Sequence, residues 1–127
     1  MQPCLQNYIG SIKQNIKEIS IDDFKCTDCT NALIIDVREP AEHAEGIIEG
    51  ALPIPRGVLE FKLFSHPALE GLSEEEILNK PIYIYCASGG RSACSAHALE
   101  QIGFNNVFSV AGGIKQWTES GGNLVKP

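Results

Sequence analysis

A cysteine, two glycines, an arginine and a serine stand together in "YIYCASGGRSACSAHALEQIG", Tyr83 to Gly103, as Cys86, Gly89, Gly90, Arg91 and Ser92. A thiol is a nucleophile as its thiolate, and thiolates are favoured near helix N-termini and arginine side chains. The glycines admit backbone angles closed to other residues, so successive N–H groups can turn inward as an anion-binding nest. A helix beginning near Ser92 adds the positive end of its dipole, and Arg91 adds a permanent charge. The chemistry this group fits is attack by the Cys86 sulfur, with the loop holding whatever anion is built on it. An inert cysteine at a strand end needs none of these neighbours.

Such a loop must be carried by regular structure on both sides. "IYIY" (Ile82 to Tyr85), "ALIIDV" (Ala32 to Val37) and "VFSV" (Val107 to Val110) are apolar runs of the kind found in strands covered on both faces. "LPI" (Leu52 to Ile54) and the residues near Ile19 are shorter strand candidates towards the sheet edges. Helical patterns alternate with them, the mark of a mostly parallel α/β sheet. Ser20 with Asp23 predicts a helix through about Cys29, and Pro40 a short one through about Glu45, stopped by Gly46. Ser73 with Glu76 predicts a third. Ser92 to Ile102 forms the longest, closed by Gly103, and Ile114 to Ser120 the last, stopped by Gly121 and Gly122. In an open parallel sheet, ligands bind at the carboxyl ends of the strands, which is where Cys86 falls.

The whole chain sets limits. Its 127 residues suit one domain, with residues 1–17 as an added arm or helix and 18–127 as the α/β unit. A net charge of −6 with a pI near 5.0 argues against nucleic acid or an anionic membrane as partner. No stretch approaches a membrane span, and "MQPCLQNYIGSIKQNIKEIS" has neither the apolar core nor the cleavage site of a secretory signal. Five cysteines, an odd number, read as free thiols in a reducing, cytoplasmic setting.

"CASGGRS" resembles the active-site loop of rhodanese-like sulfurtransferases. "DVREPAEHAEGIIEGALPIP" (Asp36 to Pro55) resembles the family's first motif and "GFNNVFSVAGGIKQW" (Gly103 to Trp117) its closing one. "PRGVLEF" (Pro55 to Phe61) is similar to single-domain cytoplasmic members, and the likeness spans about Ile19 to Val125. The resemblance implies an α/β fold: a five-stranded, mainly parallel sheet with helices on both faces. It also implies that Cys86 accepts sulfane sulfur from thiosulfate or another persulfide donor and passes it to cyanide, a low-molecular-weight thiol or a protein. The backbone of Ala87, Ser88, Gly89, Gly90, Arg91 and Ser92 would cradle the outer sulfur, and Arg91 would help hold an anionic donor. No cofactor or metal is implied.

Two departures stand out. Many members carry arginine directly after the cysteine, where this chain has Ala87; the rim loses a cation and the case for thiosulfate weakens. Where Gly-His-Ile is common, this chain reads Gly46, Ile47, Ile48. The related phosphatases and arsenate reductases place their arginine one residue later, giving a wider loop, and usually have histidine where Tyr85 stands. A docking or persulfide-carrier module serving a partner protein is the alternative from another class.

Other residues have blander expectations. The "CTDC" pair, Cys26 and Cys29, lacks the further ligands zinc needs and falls where a helix closes. Cys94 is expected to face the sheet, with a resolving role as the alternative. His43, His66 and His97 are expected at the surface or as caps. Asp36 and Arg38 are expected as a structural ion pair or loop anchor. Gly112, Gly113 and Trp117 are expected to pack the last helix on the sheet.

Overall fold

The computed structural model describes residues 1–127. In chain order its elements are α1 (Pro3–Gln14), β1 (Lys17–Ile19), α2 (Ile21–Lys25), β2 (Leu33–Asp36), α3 (Pro40–His43), β3 (Ile47–Ile48) and β4 (Ala51–Pro53). These are followed by α4 (Leu59–Lys62), α5 (Glu74–Leu78), β5 (Ile82–Tyr85), α6 (Gly90–Ile102), β6 (Val107–Val110), α7 (Gly113–Glu119) and β7 (Leu124–Val125), with single 3-10 turns at Arg56–Val58 and Pro67–Leu69. No helix is long and apolar enough to cross a membrane.

The sheet runs β1-β6-β5-β2-β4, with every neighbouring pair parallel. The two short strands, β1 and β4, are the edges, as their length and weaker apolar character lead one to expect. Alternation along the central strands separates two cores. Leu33, Ile35, Ile82, Ile84 and Val107 face one side, with Leu59 of α4 and Leu63 just past its end, Ile77 of α5, and Ala96 and Leu99 of α6. Tyr83, Tyr85 and Val110 face the other, against Ile21 and Phe24 of α2, Ile114 of α7, and the β3 isoleucines. Ile35, Ile82 and Ile84 are sealed from solvent, each a burial that stabilises by roughly 1.5–3 kcal/mol. Helices thus cover both faces, and each of the five strands of this sheet carries its carboxyl end to the same edge.

Local signals start and stop most helices where the residues suggest. The Ser73 hydroxyl accepts from the Glu76 N–H while Glu76 reaches back to the Ser73 N–H, a complete capping box. The Ser20 hydroxyl accepts from the Asp23 N–H, but α2 ends at Lys25, short of Cys29. Past its end the Thr27 hydroxyl donates to the Asp23 carbonyl and Asp28 accepts from the Thr30 N–H, which turns the chain out of the helix. α6 begins two residues earlier than Ser92, at Gly90, with Gly89 as its N-cap. A small antiparallel pair, β3 with β7, was not legible, because two residues carry no periodicity.

Candidate active site

The Cys86 loop is held by its carbonyls. The Cys86 and Ala87 carbonyls accept from the N–H groups of Ile114 and Lys115, at 2.9 and 3.1 Å, in the first turn of α7. That contact requires glycine at residue 113. Its φ is +56°, and a Cβ there would lie 2.4 Å from the Cys86 carbonyl oxygen. Gly113 therefore does more than pack a helix on the sheet: it lets α7 dock on the loop. With two carbonyls drawn to α7, the following amides are free to turn towards the sulfur. The Gly89 N–H donates to Cys86 Sγ at 3.1 Å, with Gly89 itself at φ +112°.

The sulfur lies in the cradle that results. Cys86 Sγ is 3.6 Å from the Ser92 hydroxyl, which is 2.8 Å from the hydroxyl of Ser109 on β6. Burial pushes the Cys86 thiol up, but the Ser92 hydroxyl and the amides of Ser92, Gly89 and Ser88 outweigh it, and the net shift is down. The loop residues divide by role: the Gly89 N–H and the Ser92 hydroxyl turn to the sulfur, while Ala87 gives its carbonyl to α7. Gly90 opens α6. The arrangement can hold a thiolate, and equally an anionic sulfur attached to it.

Arg91 points along the rim and is not free. Its guanidinium makes two bonds to the Glu42 carboxylate, at 2.7 and 3.0 Å, and these hold the Glu42 carboxyl down to about 2. Nothing in the spacing of the chain announces this pair, which joins α3 to α6 across the edge. Beside it, Asp36 and Arg38 form the anchor expected of them: Arg38 donates to Asp36 through Nε and Nη2 and to the Gly46 carbonyl through Nη2.

Three of the other expectations need correction or refinement. His43 is neither at the surface nor a cap; it is 6 % exposed, with Nε2 3.3 Å from Asp36 Oδ1 but off the line for a hydrogen bond. A lone histidine between charged residues reads as solvated, and only the buried Asp36 on another element explains its position. Cys94 does not face the sheet, a role taken on α6 by Ala96 and Leu99; it lines a cavity of about 320 Å³ shared with Cys86. α1 walls that cavity with Leu5, Tyr8 and Ile9, so the arm borders the site. His66 does cap, its Nδ1 accepting from the Ala68 N–H. Cys26 and Cys29 are free thiols; burial and then the Asp28 charge push the Cys29 thiol up, the reverse of Cys86.

The Rhodanese-like domain model matches residues 21–120. The chain belongs to this family. A protein of Allochromatium vinosum named sulfurtransferase is 31% identical over 103 residues, covering 81% of this chain and 87% of its own. Among solved structures, a rhodanese-related protein of Thermoplasma volcanium is 30% identical with a TM-score of 0.71, covering 87% of this chain and 99% of its own. A Rhodopseudomonas palustris protein of unknown function, described as a possible tyrosine phosphatase, reaches a TM-score of 0.78 at 25% identity, over 95% and 93% of the two chains. The five-stranded parallel sheet with helices on both faces is thus a rhodanese-like fold.

Proposed function

We propose that this rhodanese-like chain is a sulfurtransferase in which Cys86 carries sulfane sulfur from thiosulfate or another persulfide donor to a thiol or cyanide acceptor. The observation that carries the reading is the Gly89 N–H donating to Cys86 Sγ at 3.1 Å, with the Ser92 hydroxyl 3.6 Å from the same sulfur. The thiolate attacks the outer sulfur of the donor. A bond forms between Sγ and that sulfur, the donor's S–S bond breaks, and its electron pair leaves with sulfite when thiosulfate is the donor. The terminal persulfide sulfur then carries the negative charge, and the same donors stabilise it. In the second half, a thiolate or cyanide attacks the outer sulfur and returns the pair to Sγ, regenerating the Cys86 thiolate. Neither half needs a metal or a proton-transferring histidine. Five free thiols fit a reducing compartment.

The test is intact mass after exposure to thiosulfate. One added sulfur atom, removable by dithiothreitol, is expected in the unaltered protein and in Cys26→Ser and Cys29→Ser. It should vanish, with all turnover, in Cys86→Ser. The loop from Cys86 to Arg91 is the short form, so p-nitrophenyl phosphate should not be hydrolysed. A Cys86-dependent phosphatase activity would move the chain to the other branch of the fold. An adduct that forms but is discharged by no small acceptor would mark a carrier serving a partner protein.

A further inference from the structure

The cavity over Cys86 has two walls that the sulfur chemistry does not use. On one side α1 presents Leu5 and Tyr8, which remain 45% and 58% exposed although both are large and apolar-bodied, with Ile9 beside them. On the other stands Arg56, from the 3-10 turn that follows β4. The two arginines of the cavity are in different states. Arg91 is held by two bonds to Glu42, whereas Arg56 takes part in none of the protein's ion pairs. Arg56 is the guanidinium available to an incoming anion.

Size points the same way. About 320 Å³ is the lower end of pockets that hold an organic ligand, and a five-atom dianion such as thiosulfate fills little of it. Thiosulfate also has no use for an apolar wall. A donor with an organic body would cover Leu5 and Tyr8, removing apolar surface from water, while its anionic end met Arg56.

Building on the sulfurtransferase reading, we propose that α1 and Arg56 are the specificity-determining part of the site, selecting a sulfane-sulfur donor whose apolar organic body adjoins a single anionic group. Benzenethiosulfonate is the simplest probe of that class. Cys86 thiolate attacks its terminal sulfur, the Sγ–S bond forms, the bond from that sulfur to the sulfonyl breaks, and benzenesulfinate leaves with the electron pair. The products are the Cys86 persulfide anion and the sulfinate, and charge balances without another reactant. Arg91 keeps its place beside Glu42, and the cation that Ala87 fails to provide at the rim comes from Arg56.

The experiment measures kcat/KM for benzenethiosulfonate and for thiosulfate in the unaltered protein, Leu5→Ser/Tyr8→Ser, Arg56→Gln and Arg56→Lys. The unaltered protein should favour benzenethiosulfonate by about tenfold or more. The Leu5→Ser/Tyr8→Ser protein should lose about tenfold on benzenethiosulfonate through KM, and about twofold or less on thiosulfate. Arg56→Gln should raise KM and flatten the salt dependence for both donors, and Arg56→Lys should restore that dependence. Equal efficiency on both donors in the unaltered protein overturns the proposal, as does an equal loss on both in the α1 variant. Absence of a Cys86-dependent sulfur adduct from either donor overturns the underlying sulfurtransferase reading instead, and intact mass separates that result from lost selectivity.

Discussion

Two loops leave the same edge of the sheet side by side, since Asp36 of β2 registers with Tyr85 of β5. Each opens with a group that can hold negative charge at a buried position: Asp36 at 0% exposure and Cys86 at 1%. They differ in what their neighbours leave undone. Around Asp36 the protein supplies a complete counter-charge, with Arg38 donating through its backbone N–H, Nε and Nη2, and His43 alongside. Around Cys86 it supplies neutral donors, keeps Arg91 engaged with Glu42, and leaves a cavity over the sulfur. A closed set of partners makes an anchor. A set of donors with one open side makes a place where bonds can be made and broken.

The comparison can be broken from its anchor side first. Asp36→Asn leaves a buried guanidinium without its carboxylate, a loss of about 3–5 kcal/mol. A chain of this size should then melt roughly 10–20 °C lower. The surviving folded fraction should still take sulfur onto Cys86. A variant of unchanged Tm would show that the anchor is not one.

Gly113→Ala should invert that pattern. Alanine at φ +56° and 2.4 Å from the Cys86 carbonyl forces the loop away from α7. A displacement approaching 1 Å at a reacting atom costs on the order of a hundredfold in rate. The expected result is kcat/KM down about a hundredfold with a smaller relative loss of stability, read by pairing turnover with thermal melts. Unchanged turnover would show that α7 does not aim the sulfur.

The smallest effect sharpens the electrostatics. Thiolate is the attacking form, and the Cys86 thiol is held below its ordinary value, so the rising limb of alkylation rate against pH should lie below that of a free cysteine. Ser92→Ala removes the hydroxyl donor, destabilises the thiolate, and should move that limb to higher pH. At a pH below both midpoints, alkylation should slow about tenfold or somewhat more, the low end of what losing one hydrogen bond to a charged group costs. A limb that stays put would assign the whole shift to the backbone.

What the residues themselves revealed is graded by distance along the chain. β5 and β6 begin and end where their apolar runs do, because burial on both faces leaves a continuous signal. The Cys86 loop was legible for a similar reason: strand end, thiol, two glycines and helix start lie within a few residues. Glu42 against Arg91, Gly113 against the Cys86 carbonyl, and α1 over the cavity were not, since each joins elements far apart in sequence. His43 was misjudged on the same ground, its burial being set by β2 and not by α3.

The pairing of β1 with β6, Lys17 in register with Phe108, has a consequence for the order of assembly. During synthesis β1 emerges before β6, and it has no neighbour in the sheet until Val110 is made. α1, which precedes β1 and rests against α6, is in the same position. Non-local pairings of this kind are slow to form because chain closure costs entropy before any contact offsets it. β1 and α1, made well before the strand and helix they join, must therefore wait for most of the domain, and the outer wall of the cavity closes only once the elements behind it exist.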